Sequence, residues 1–283
     1  VISFVFFGHL LEASGGSKFF TDISVALMGR FRGGSSKIAI SASCLFGSIS
    51  GSAVSNVVST GVITIPMMKR GGYPGHIAGA IEAVASTGGQ LMPPIMGAAA
   101  FVMAEFLQVP YGDVVIAAIV PALLYYATLF IQADLYAARH GISRVDEDLI
   151  PARGRVFKAG WPFLIPFAVL IVALFNLNLR PDTSALAAAL AVVIVGMGLG
   201  YGGVRMKLGA VLRSFSTTGV AVTQIVMIGA MAGIVIGVLN ITGLGFALTQ
   251  ALIEIAAGNL FLLLVMAAIV SIVLGMGMPT LGV

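Results

Sequence analysis

Long apolar blocks separated by short charged clusters set the elements of this chain. Residues 111–137, 160–178, 183–201 and 216–239 are apolar over lengths near the roughly 20 residues that a helix needs to cross a bilayer. Each predicts a transmembrane helix. One block does not fit that pattern. No charge falls between Lys37 and Lys69, yet the middle, Gly47-Ser48-Ile49-Ser50-Gly51-Ser52-Ala53-Val54-Ser55-Asn56, is glycine and hydroxyl. These 31 uncharged residues are too long for one simple span and too short for two. Basic residues stand at both ends, and basic flanks prefer the cytoplasmic side. Entry and exit on one side, with a polar tip between, reads as a re-entrant helical hairpin over about 38–68. Lipid tolerates irregular backbone at that depth only where it is buried in protein or lines a cavity. The tip is therefore expected to be a binding site.

A second irregularity lies inside the apolar stretch 74–108. Thr87-Gly88-Gly89-Gln90-Leu91-Met92-Pro93-Pro94 pairs glycines with prolines and so loses helix propensity and backbone donors in one place. This predicts a discontinuous helix, with open carbonyls on one side and open N–H groups on the other. The stretches 17–30 and 245–257 are too short to span and are expected to lie at an interface. A shift of 228 positions places Ser14-Gly15 on Thr242-Gly243, Thr21 on Thr249, Ser43 on Ser271, Gly47 on Gly275 and Ser52 on Thr280. The first hairpin opens from the cytoplasm, and the segment after 216–239 should open from outside. Two like elements of opposite orientation make an inverted repeat, a signature of secondary transporters. The expected organisation is a first repeat over 1–110, connecting helices over 111–215, and the start of a second repeat over 216–283.

Composition sharpens the class. The chain is 59% hydrophobic and 9% charged, with a mean hydropathy of +1.07, whereas a soluble domain is about 25% charged. It reads as an all-α integral membrane protein embedded in lipid. The net charge of +4 needs no nucleic acid, because basic residues gather in loops such as 138–159, with Arg139, Arg144, Arg153, Arg155 and Lys158. Arg180 is the one basic residue assigned outside. Cys44 excludes an intrachain disulfide and reads as a small packing residue. The chain starts inside an apolar run without a Met and stops in a polar break, so it is expected to be a fragment of a longer protein.

Residues 47–53, Gly-Ser-Ile-Ser-Gly-Ser-Ala, together with Ile65-Pro66-Met67-Met68-Lys69-Arg70-Gly71-Gly72-Tyr73 and the Pro93-Pro94 break, resemble the large membrane subunit of TRAP transporters. The run from Ala85 to Phe101 and the later Ala104-Glu105-Phe106-Leu107 are similar to the TAXI branch, whose membrane subunits are often fused. Gly275-Met276-Gly277-Met278-Pro279-Thr280 resembles the opening of the second hairpin. The resemblance implies an elevator-type fold with scaffold and transport domains in a bacterial or archaeal cytoplasmic membrane. It implies organic-acid uptake driven by sodium, or by protons in some members, with a periplasmic substrate-binding protein. A small membrane subunit, fused or separate, is a further implied partner.

An organic anion needs positive potential without a permanent buried charge, and helix N-termini at a hairpin tip supply it. Ser50, Gly51, Ser52, Ser55 and Asn56, with Pro93, Pro94, Pro279 and Thr280, are the candidate substrate-binding residues. Sodium needs oxygen ligands, which unwound carbonyls and hydroxyls offer. The first candidate site sets Ser50, Gly51, Ser52 and Asn56 against Thr87, Gly88 and Gly89; a second uses Gly275, Gly277 and Thr280. No resident cofactor is expected beyond Na⁺ as coupling ion.

Among the acids, Glu82 lies in the broken helix and is the candidate for proton coupling. The weighed alternative puts Glu82 near the inner interface and Glu105 near the outer one. Asp134 and Glu254 read as interfacial, and His9 as a satisfied packing residue. His9, His76 and His140 lack metal-ligand spacing. The alternatives are another ion-coupled anion transporter with hairpins, or a channel. A membrane enzyme is disfavoured, since no nucleophile elbow or zinc motif is present.

Overall fold

The computed structural model describes residues 2–177, 179–203, 205–256 and 258–276. Among these the protein is all-helical, and it is a multi-pass membrane protein. The helices are α1 Ile2–Ala13, α2 Gly16–Met28, α3 Gly34–Ser50, α4 Ala53–Arg70, α5 Gly75–Gly88, α6 Ala98–Leu107, α7 Tyr111–Arg139, α8 Arg153–Gly160, α9 Leu164–Ile171, α10 Pro181–Gly198, α11 Leu208–Ile241, α12 Leu244–Ala256 and α13 Leu260–Gly275. Four described stretches are long and apolar enough to cross a membrane: Tyr111–Arg139, Glu147–Asn176, Pro181–Gly198 and Leu208–Met231. The helix expected over 216–239 starts earlier, at Leu208, because nothing between Lys207 and Ser216 breaks a helix.

The chain divides into two units, residues 1–219 and 220–283. In the first, Phe4, Phe7, Leu10 and Leu11 of α1 meet Ala185, Ala188, Ala189 and Val192 of α10, with Phe19 and Phe163 closing the cluster. The alanine stripe of α10 lets the two backbones approach closely, which is how membrane helices pack without a hydrophobic driving force. Apart from this core, α3, α4 and α5 pack on one another, and α7 lies against α3, α5 and α6.

In the second unit α12 packs on α13. Moving the bounds of α2, Gly16–Met28, by 228 positions gives Leu244–Ala256, which are the bounds of α12. A glycine with positive φ precedes each: Gly15 at 89° and Gly243 at 68°.

Candidate functional site

Helices α3 and α4 are joined by a two-residue turn at Gly51 and Ser52. Gly51 has φ of 60°, where a side chain is strained, and its N–H donates to Gly47 O at 3.1 Å, ending α3. Ser52 is extended and its hydroxyl accepts from Ser55 N at 3.3 Å, which starts α4. Lys69 and Arg70 fill the last turn of α4, where positive charge suits the dipole. The sequence thus builds a helical hairpin with a polar tip.

The other half of the site is the interruption between α5 and α6. It covers residues 89–97, so Thr87 and Gly88, assigned to the break from the sequence, belong to α5. Their carbonyls are taken, Thr87 O by Gln90 N at 3.1 Å and Gly88 O by Leu91 N at 3.0 Å. The Thr87 hydroxyl donates to Ala83 O at 2.8 Å. Gly89 keeps helical φ and ψ, so the chain leaves the helix later than the glycine pair suggests. The interruption folds back on itself through Gly97 N donating to Gln90 O at 2.7 Å. It includes the cis Pro93–Pro94 peptide and Met96 at φ of 62°. Tyr111, at the start of α7, donates its hydroxyl to Ile95 O and stacks on Phe101 with centroids 4.3 Å apart.

Tip and interruption touch. Ile95 N donates to Ser48 O at 3.2 Å. A Cβ on Gly47 would stand 2.6 Å from Gly89 Cα, and one on Gly51 would stand 2.4 Å from Met96 O. Only glycine permits this approach. Gly51 and Gly97 are neighbours, so α4, beginning after Ser52, and α6, beginning after Gly97, start side by side. The first-turn N–H groups of a helix have no acceptor one turn back; here Ser52 Oγ accepts from Ser55 N at 3.3 Å and Gly97 O accepts from Ala100 N at 3.0 Å. Ser50, Ser52 and Ser55 are half-buried there, and the Ser50 hydroxyl reaches Ser52 O at 3.4 Å. Asn56 turns inward, fully buried, donating to Ser43 O at 2.8 Å and to Ser86 O at 3.5 Å.

Below Asn56 lies a polar centre. Glu82 is fully buried. Its Oε1 accepts from Ser43 at 2.9 Å, from Thr60, and from Ser86 at 3.3 Å; its Oε2 accepts from Thr64. The sequence reading missed these four hydroxyls. The signal was present, since Asn56, Thr60 and Thr64 recur every fourth residue on α4 and Ser86 follows Glu82 by four on α5.

Asp134 holds the foot of the hairpin, pairing with Arg32 and, at 2.6 Å, with Lys37. His9 is not a fully satisfied packing residue: its Nε2 is buried without a partner among the described residues, and its Nδ1 stands 3.9 Å from Glu12. Gly275 ends α13, while Gly277, Pro279 and Thr280 lie outside the described residues.

Comparison with known proteins fits this architecture. The family model described as "Tripartite ATP-independent periplasmic transporter, DctM component" matches residues 1–283. The 2,3-diketo-L-gulonate TRAP transporter large permease protein YiaN of Escherichia coli is 27% identical over 64% of this chain and 42% of its own length. The C4-dicarboxylate TRAP transporter large permease protein DctM of Pseudomonas aeruginosa is 29% identical over 65% of this chain and 43% of its own. The sialic acid TRAP transporter permease protein SiaT of Haemophilus influenzae is 26% identical over 65% of this chain and 30% of its own. The chain thus spans less than half the length of each of these three relatives. All three are named as transport proteins rather than enzymes. A match along its whole length places this chain in the DctM-component family of the tripartite ATP-independent periplasmic transporters.

Proposed function

We propose that this chain forms part of an ion-coupled secondary transporter that imports an organic acid across a bacterial or archaeal cytoplasmic membrane. A periplasmic binding protein delivers the anion, and a small membrane subunit, fused or separate, completes the assembly. The helix starts of α4 and α6, side by side at Gly51 and Gly97, carry this reading. The two helix N-termini give an anion positive potential and backbone donors without a buried cation. The named relatives handle diketogulonate, C4-dicarboxylate and sialic acid, which share a carboxylate.

In this reading the hairpin α3–α4 is re-entrant and Na⁺ binds beneath the tip. Ser50, Gly51, Ser52 and Asn56 supply oxygens together with the backbone that follows Gly89. A second Na⁺ position is assigned to Gly275, Gly277 and Thr280 of the second repeat, with Pro279 and Thr280 as candidate substrate contacts. The coincident bounds of α2 and α12 support the repeat. Transport proceeds by elevator alternating access, with the tip travelling as part of the moving domain.

The test is uptake by the full-length transporter in proteoliposomes, with its cognate binding protein, under imposed sodium or proton gradients. Replacing Ser52 and Asn56 together by Ala should raise the sodium concentration needed for half-maximal uptake. Unchanged sodium dependence removes the ion assignment. Flux that neither saturates with nor requires the binding protein removes the transporter reading in favour of a channel.

A further inference from the structure

Glu82 is the one acid enclosed by the helices that form the hairpin site. It is fully buried, and none of the ion pairs among the described residues includes it. A bare carboxylate cannot be left in such a place; it takes a proton, a cation, or a complete set of donors. The charged and titratable groups on the helices packed around it are engaged elsewhere or stand apart. On α3, Lys37 binds Asp134 of α7, and Cys44 packs with Tyr126. On α7, Tyr125 donates to Val84 O at 2.7 Å and Tyr126 to Ala85 O at 2.9 Å. On α4, Lys69 and Arg70 are exposed in the last turn, and on α5 His76 is exposed in the first. Among the described residues, only hydroxyls from Ser43, Thr60, Thr64 and Ser86 reach the carboxyl group.

We propose that Glu82, ringed by Ser43, Thr60, Thr64 and Ser86, is a proton-binding site of this transporter, separate from the anion and sodium positions at the hairpin tip. The hydroxyl hydrogens argue for it. Thr64 Oγ1 lies 3.0 Å from Thr60 O as well as against Glu82 Oε2. Thr60 Oγ1 lies 2.8 Å from Asn56 O as well as against Glu82 Oε1. Each hydroxyl has one hydrogen and more than one acceptor within reach. When Oε2 carries a proton, it donates to Thr64 Oγ1, and Thr64 turns its own hydrogen to Thr60 O. When the proton leaves, Thr64 and Thr60 rotate their hydrogens onto the carboxylate. Both states are satisfied without moving a backbone atom.

A metal ion fits less well. Ser43 Oγ stands 2.9 Å from Oε1 and 3.1 Å from Thr60 Oγ1, which are hydrogen-bond lengths. Oxygens around an ion at about 2.4 Å would have to spread apart.

The exchange is plain acid–base chemistry. An O–H bond at Oε2 forms with a proton from water and breaks by returning it to water, and no electrons change hands. The ring draws on α3, α4 and α5, so it opens when the hairpin parts from α5. Asn56 ties it to the tip, since it binds the carbonyls of Ser43 and Ser86, whose hydroxyls face Glu82. The coupling role rests on the proposed function; the protonation itself does not.

Infrared difference spectroscopy of the full-length transporter in lipid, titrated from acid to alkaline pH, tests it. Wild type should show a carboxylic-acid carbonyl band that Glu82→Gln lacks. Thr64→Val, which removes the partner of Oε2, should shift its frequency. Uptake driven by a proton gradient should lose its pH dependence in Glu82→Gln. If Glu82→Gln removes no band at any pH, the inference is overturned whatever uptake does. If sodium abolishes the band at constant pH, the site holds a cation and the inference is again overturned. If Glu82→Gln does not fold, Thr64→Val decides alone: a shifted band supports the site and an unchanged band overturns it. A band present in a protein that transports no organic anion leaves the proton site standing and removes the proposed function.

Discussion

The helices α3 to α5 and the helix α7 are built on opposite plans. The first three bury Ser35, Ser36, Ser43, Asn56, Thr60, Thr64, Glu82 and Ser86. α7 exposes Ile116, Val120, Leu123, Leu124, Ile131 and Leu135, each more than half accessible. In water this would be an inverted protein. In a bilayer it is the expected division, because hydrocarbon accepts leucine and only protein accepts an unpaired hydroxyl or carboxyl. The exposed apolar residues of α7 fit a lipid face, and the buried polar residues coincide with the proposed site.

The sharpest way to break the comparison is a charge on the face assigned to lipid. Leu124→Lys, near the middle of α7, should cost about 3 kcal/mol of insertion free energy. A glycosylation-reporter insertion assay would show no change if that face met water instead. Next in size is Gly47→Leu, whose side chain would collide with Gly89 and Asn56. Overpacking of this kind costs about 1–3 kcal/mol, seen as a lower midpoint in thermal unfolding in detergent, together with loss of uptake.

Asn56→Ala should cost about 1–2 kcal/mol by leaving the buried Ser43 carbonyl without its donor. A midpoint equal to wild type would mean that the polar centre is hydrated rather than closed. Smaller still is Asp134→Asn. Its pairs lie at an exposed position, where solvent screening weakens them, so only a small drop in the thermal-unfolding midpoint is expected. Least of all, Leu124→Ala should stay within about 0.5 kcal/mol, as a substitution at a largely exposed position.

The same division explains what the sequence revealed. Helix α7 was plain, because an uninterrupted apolar run of bilayer length has one reading. The hairpin showed itself through glycine and hydroxyl at the centre of an uncharged block with basic ends. The end of α5 was placed too early, because paired glycines lower helix propensity without forbidding helix, and Gly89 keeps helical angles. The ring around Glu82 stayed hidden for another reason. Ser43, Thr60, Thr64 and Ser86 come from three helices, and only folding brings their hydroxyls to one carboxyl group. Periodicity exposes a stripe on one helix; it does not say which stripe on a neighbour it meets.

The double grip of Asp134 has a mechanical corollary. Arg32 and Lys37 flank the start of α3, and both are anchored to one carboxylate near the end of α7. The base of the hairpin is moored on that side, whereas its tip is held by close glycine contacts and a single backbone hydrogen bond. A shift of the hairpin base relative to α7 breaks both ion pairs at once, so the proposed transport movement would either haul the 29-residue α7 along as ballast or cast off the pair together.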